Sequence, residues 1–311
     1  MTDRSVHLVE RAAAYLRSSA GLSADIGNDL PPVTPSTGAS PTAYAADRVN
    51  GATVLPAPLQ AASETSAIAR VDLEALLRAG LSVAGQQRSR IAEECHIVVD
   101  QVLRSLRSAR NTTAHANLML VTSARPGEGK TFAALNLAAS IVQNDHNEVL
   151  LVDMDGKTES MTSQLGLKDA PGLLNLAADP SLRIDNLVVR TAMDGLLYLP
   201  TGSRGLPGLE GGGMTRSVSA AIERVARRFP RHIVVLDCAP CLSSSDPIAL
   251  APLVAQIVLV VEAERTQRNE IESSLDLVRA CPNVMLLLNK ARMVTGANFG
   301  SYYHAYDTAE R

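Results

Sequence analysis

From Asn117 onward, short apolar runs alternate with longer stretches of helical spacing. The runs at 118–122, 149–152, 196–199, 233–236, 257–261 and 284–288 are continuously apolar, as expected for strands buried on both faces. Between them, 131–143, 214–228 and 267–280 carry apolar residues at the spacing of helices with one buried face. This alternation predicts an α/β fold, a mostly parallel central sheet with helices on both faces. Upstream the pattern differs. Residues 71–81 and 90–106 read as two helices, the second with Ile91, Cys95, Val98, Val99, Val102 and Leu106 on one stripe. Residues 5–18 read as a short amphipathic helix. Between it and the helical pair, six of the chain's sixteen prolines fall within 21–64, among Ser, Ala and Thr, so that stretch reads as a disordered linker. The expected organisation is a short helix at 1–20, a linker at 21–65, a helical lead-in at 66–116, a phosphate-binding domain at 117–292 and a flexible tail at 293–311.

The most informative motif follows the first strand of the alternating region. Ala124-Arg125-Pro126-Gly127-Glu128-Gly129-Lys130-Thr131 is a phosphate-binding loop between a strand and a helix. Its turn and the following helix N-terminus aim amides and the positive end of a helix dipole at an anion. Lys130 adds a point charge for β- and γ-phosphates, and the Thr131 hydroxyl suits Mg²⁺. Two further strands end in acids, one in Asp153-Met154-Asp155 and the other in Asp237. In an open parallel sheet, ligands bind beyond the carboxyl ends of the strands, so these acids share the end where the loop lies. Asp237 reads as a metal carboxylate. Asp153 and Asp155 are both candidates for metal binding and for taking a proton, and sequence does not divide the two roles.

Composition narrows the rest. A net charge of −3 over 311 residues gives no reason to expect a nucleic-acid partner. No apolar run is long enough to span a bilayer, and residues 1–20 lack a signal-peptide core, so a cytoplasmic protein is expected. Cys238 and Cys241 have thioredoxin-like spacing but follow a strand end inside a nucleotide-binding pattern, and read as small buried residues. No cysteine or histidine arrangement suggests zinc. His96, His115, His146, His232 and His304 are scattered and form no acyl-transfer constellation.

Taken together, the 122–131 loop, Val152-Asp153-Met154-Asp155 and Leu236-Asp237-Cys238-Ala239-Pro240 resemble the bacterial tyrosine kinases of exopolysaccharide and capsule export. Leu199-Pro200-Thr201-Gly202, Ser245-Asp246-Pro247 and Leu288-Asn289-Lys290 extend the resemblance, and the N-terminal organisation looks like the exosortase-associated branch. The resemblance implies a P-loop NTPase fold, with ATP and Mg²⁺ at the loop and γ-phosphoryl transfer to tyrosines of a C-terminal tail. Tyr302, Tyr303 and Tyr306, three of the six tyrosines, are the implied acceptors. It implies as partner the cytoplasmic segment of a membrane-embedded chain-length regulator, which would place the chain peripherally at the inner membrane, and it implies self-association. Arg125 stands where related partitioning ATPases carry a signature lysine. The chain departs from the family pattern at Lys157, where arginine is usual, at Ala239 in the turn after Asp237, and at His96 and Val99, where the subunit-joining segment has arginines. The alternative reading is a nucleotide-gated scaffold or partitioning-type ATPase that binds ATP without phosphorylating tyrosine.

Overall fold

The computed structural model describes residues 70–82, 90–109, 115–145, 147–156, 160–203, 205–206 and 212–291. The expected helix at 1–20, the linker at 21–65 and the tail with Tyr302, Tyr303 and Tyr306 lie outside the described residues, as does Lys157.

The described chain begins with a short strand β1 (Arg70–Val71) and a helix α1 (Leu73–Arg78), then a long helix α2 (Arg90–Ala109). A continuous helix over 71–81 is therefore not what forms. Val71 pairs with a later strand, and Asp72 starts the helix by accepting the Ala75 amide at 2.7 Å. The alternating region follows as β2 (Leu118–Ser123), α3 (Lys130–Asp145), β3 (Val149–Asp153), the short helices α4 (Met161–Gln164) and α5 (Leu173–Ala178), β4 (Val189–Thr191), β5 (Leu196–Leu199), α6 (Gly212–Arg228), β6 (Ile233–Asp237), α7 (Asp246–Leu250), β7 (Gln256–Glu262), α8 (Arg268–Leu277) and β8 (Val284–Asn289). The six expected strands and three expected helices all form within a few residues of their predicted limits. The small elements β1, β4, α4, α5 and α7 carry too few residues to show a period.

One sheet of eight strands has the order β1-β4-β5-β3-β6-β2-β7-β8, parallel except for the β4–β5 pair. The pleat explains why its strands are apolar throughout. Along β2, Met119 and Val121 enter one core with α2 and α3, while Leu118 and Leu120 enter the other with α5 and α6. The phosphate-loop strand β2 lies between β6 and β7, deep in the sheet. Because β2, β3 and β6 run in register, their carboxyl ends converge, and Asp153 and Asp237 are direct neighbours in the ladder. The lead-in is tied to this layer by Asn136 of α3. Its amide donates to Gly80 O at 2.9 Å, and its oxygen accepts the Ser82 amide at 2.7 Å.

Candidate nucleotide site

The loop between β2 and α3 is held from three sides. Gly127 and Gly129 take positive φ of 86° and 94°, the conformation that lets the chain curl back on itself. A side chain at Gly129 would also run into the amide of Asn289. The Glu128 side chain is turned inward and only 2% exposed. One of its oxygens accepts the Arg125 amide at 2.8 Å and the other the Thr266 hydroxyl. Its carboxylate thus braces the loop from within. From the end of β8, Asn289 Nδ2 donates to Glu128 O at 2.8 Å and Lys290 Nζ to Gly127 O at 2.7 Å. Lys290 reaches this position from a left-handed backbone, φ 58°, and its ammonium also lies 3.3 Å from Glu262. The loop carbonyls that would repel phosphate are thereby occupied, which leaves its amides for an anion. Arg125 is half exposed and lies 3.5 Å from Glu270 of α8.

Below the loop, the sequence-predicted charges come together, and the structure separates them by environment. Lys130 forms an ion pair with Asp155, and its ammonium donates to Thr131 Oγ1 at 3.2 Å. Burial works against its charge, but Asp237, Asp155 and Asp153 outweigh it and hold the lysine above its ordinary value. Asp153 is fully buried and fully occupied. Its Oδ2 accepts the Thr162 amide at 2.8 Å and the Thr162 hydroxyl at 2.7 Å, with Tyr198 Oη at 3.4 Å, while its Oδ1 accepts the Asp155 amide at 3.1 Å. Asp237 is as deeply buried, yet neither of its oxygens meets a hydrogen-bond partner with ordinary geometry. Burial, aided by Asp153 and Asp155, pushes it up to about 7 against the downward pull of Lys130 and the nearby Thr131 hydroxyl.

A buried carboxylate with both oxygens unused asks for a cation. The donor set suits Mg²⁺, which takes hard oxygen ligands, one or two protein groups at a time, with phosphate oxygens and water. Asp237 and Thr131 are such donors beside Lys130. Among the described residues no group of three or more His, Cys, Asp or Glu is arranged to hold a metal unaided.

Sequence reasoning missed Thr162, Tyr198 and Thr266, and noted Thr201 only within the Leu199-Pro200-Thr201-Gly202 resemblance. Thr162 Oγ1 lies 2.9 Å from Tyr198 Oη and 3.3 Å from Thr201 Oγ1, so three elements converge on Asp153. Burial, with Asp153 beside it, raises the Tyr198 phenol well above its ordinary value. Nothing local marks these residues; Thr162 sits in a helix of four residues and Tyr198 within an apolar strand. Cys238 and Cys241 are buried, reduced thiols pushed up by burial, which leaves little thiolate for redox chemistry. Their turn is pinned to β2 by Thr122 Oγ1, which donates to Ala239 O at 2.7 Å, and by the Cys241 amide on Ser123 O at 2.8 Å. On α2, Val99 is wholly buried in the core, whereas Glu93 and His96 are exposed.

No protein-family model matches the chain. Among curated proteins it is similar to EpsB of Ralstonia solanacearum, named as a tyrosine-protein kinase, at 30% identity over 178 residues, 56% of this chain and 23% of that protein. Tyrosine-protein kinase YwqD of Bacillus subtilis is 24% identical over 186 residues, 59% of this chain and 76% of that protein. The chain spans about a quarter of the length of several relatives it matches, 23% of EpsB and 24% of tyrosine-protein kinase ptk of Acinetobacter johnsonii. Among solved structures, the kinase domain of Escherichia coli tyrosine kinase ETK superposes with a TM-score of 0.53 at 22% identity, covering 65% of this chain and 77% of that one, a likeness of fold. No described helix is long and apolar enough to cross a membrane. By sequence this chain is similar to bacterial tyrosine-protein kinases, and its fold is like that of the ETK kinase domain.

Proposed function

We propose that the chain is an ATP- and Mg²⁺-dependent protein tyrosine kinase that phosphorylates tail tyrosines and regulates exopolysaccharide or capsule synthesis and export. The observation that carries the reading is Asp237, a buried carboxylate without hydrogen-bond partners, beside Lys130 and Thr131 at a braced phosphate loop. Loop amides and Lys130 hold the β- and γ-phosphates. Thr131 and Asp237 would hold Mg²⁺, which would supply the positive charge that offsets the phosphates. Asp153 is already saturated by Thr162, Tyr198 and the Asp155 amide, so it fixes the β3 end instead of accepting a proton. Asp155 pairs with Lys130 when the loop holds no phosphate. Once phosphate competes for that ammonium, the Asp155 carboxylate is the group placed to take the proton of an incoming tyrosine hydroxyl. Tyr302, Tyr303 and Tyr306 are the proposed acceptors. Phosphate on several of them would make neighbouring tails repel and loosen self-association, in a cycle shared with a membrane-embedded chain-length regulator.

A second reading is favoured by α2. Val99, where the kinase resemblance expects a subunit-joining arginine, is sealed in the core. A chain that binds ATP and changes partners without phosphorylating tyrosine fits that loss. Incubating the purified full chain with Mg-ATP, with and without the regulator's cytoplasmic segment, and mapping phosphate by intact and peptide mass separates the two. The kinase reading expects phosphate on the tail tyrosines, abolished by Lys130→Met. An unmodified tail in a chain that binds ATP contradicts it and leaves the scaffold.

A further inference from the structure

A cavity of about 780 Å³ opens at the end of the sheet opposite the phosphate loop. Its walls come from the residues leading into β2 and β3, the first residue of β6, and the carboxyl ends of α2 and α6. Five of its side chains can carry positive charge: Arg107, His115, Arg227, Arg231 and His232. Among the described residues no aspartate or glutamate lines it. Two acids pair with three of these side chains, Glu223 at 3.1 Å from Arg227 and 3.8 Å from His115, and Glu148 at 3.6 Å from His232. Arg107 and Arg231 make no ion pair or hydrogen bond with any described residue. His232 Nδ1 is buried without a hydrogen-bond partner.

A helix carboxyl end ordinarily disfavours an anion. Here the objection is reduced by Asn117, whose Nδ2 donates to Ala226 O in the last turn of α6, to Phe229 O just after it and to His232 O before β6, at 3.3, 3.1 and 3.2 Å. Its lining also includes the apolar side chains of Leu103, Leu106 and Ile233. The guanidinium groups in the lining match the geometry of a phosphate. Apolar lining in a cavity of this size matches the body of a small organic molecule. A bare ion would leave that apolar lining unused, and a flat macromolecular surface would not enter the concavity.

We propose that this cavity is a second ligand site, separate from the nucleotide site, for a small organic phosphate with a ring or other apolar portion. The probe is 1-naphthyl phosphate, titrated calorimetrically into the full chain and into its Lys130→Ala form, with inorganic phosphate and 1-naphthoate as comparators. The expected result is saturable binding of one equivalent, tighter than either comparator and unchanged by Lys130→Ala. The paired change Arg107→Ala with Arg231→Ala should weaken it about tenfold or more while ATP affinity and the melting temperature stay as they are. In the unmodified chain, the side-chain amide resonances of Asn117 and Asn147 should shift on binding, a readout that needs no variant. Loss of binding in Lys130→Ala would place the probe at the nucleotide loop and overturn the proposal. So would an affinity no better than that of inorganic phosphate, which means charge attraction alone, or insensitivity to the arginine pair.

Discussion

Strands β3 and β6 run side by side in register, and their last residues, Asp153 and Asp237, are partners in the ladder. Both carboxylates are buried, and both follow four apolar residues. Around Asp153, the chain returns through α4 and β5 and supplies donors to both oxygens. Around Asp237, the chain leaves through a turn whose polar contacts go to β2, with Thr122 holding Ala239, and the carboxylate keeps its lone pairs. A satisfied buried acid is structural. An unsatisfied one is costly unless something else arrives, about 1–3 kcal/mol for a buried polar group left without partners and more for a charge. The difference teaches that position at a strand end makes an acid a candidate, and its hydrogen bonds decide its role.

The comparison can be broken most severely at the charge both acids share. Lys130→Ala removes the buried cation facing Asp155, and breaking such a pair typically costs about 3–5 kcal/mol. ATP affinity, read by calorimetry, should fall about a hundredfold or more, and tail phosphorylation should vanish. At Asp237 the two measures should part. Asp237→Asn should abolish the Mg²⁺ dependence of nucleotide binding, yet raise the melting temperature of the nucleotide-free chain near pH 8. The sign follows from the shift: burial raises this acid to about 7, so the folded state binds its proton more tightly than the unfolded chain does. The stability lost to its ionisation accumulates as pH rises from about 4 to about 7 and stays lost above that; the amide carries no such penalty. At Asp153 both measures should move together. Thr162→Val removes a hydroxyl donor from a buried carboxylate and should lower stability by about 1–3 kcal/mol, with nucleotide affinity falling only as the end of β3 loosens. Chemical denaturation of the free chain checks this. The smallest effect is expected at the loop's exposed side, where Arg125→Ala breaks a half-exposed pair with Glu270 worth under about 1 kcal/mol.

Much of this architecture was legible in the sequence because its signals are local. Buried parallel strands are continuous apolar runs, and the loop between 118–122 and 131–143 is a compact motif, so the sheet, its principal helices and the nucleotide end could all be placed. The division of labour among Asp153, Asp155 and Asp237 was not legible, because it depends on Thr162, Tyr198 and Lys130 arriving from separate elements. The brace on the loop is similarly remote. Glu128 meets Thr266 across 138 residues and Asn289 across 161; Thr266 does not stand out in its own neighbourhood, and Leu288-Asn289-Lys290 carried a resemblance but no hint of this contact. The start of the lead-in was misread because Val71 has an apolar residue's helical spacing, while its backbone pairs with β4. Val99 fits its helical stripe in sequence, and the structure adds that the position is sealed and unavailable to a neighbouring subunit.

The central claim is that Asp237 is the carboxylate that receives the metal. It is tested most directly by proton release on binding Mg-nucleotide, measured calorimetrically near pH 7 in buffers of different ionisation enthalpy. With its ordinary value pushed up to about 7, Asp237 is roughly half protonated there, and a bound cation should drive that proton off. The unmodified chain should release about half a proton more than Asp237→Asn, with the difference fading by pH 9. Equal proton release and equal Mg-nucleotide affinity in the two proteins would contradict the account.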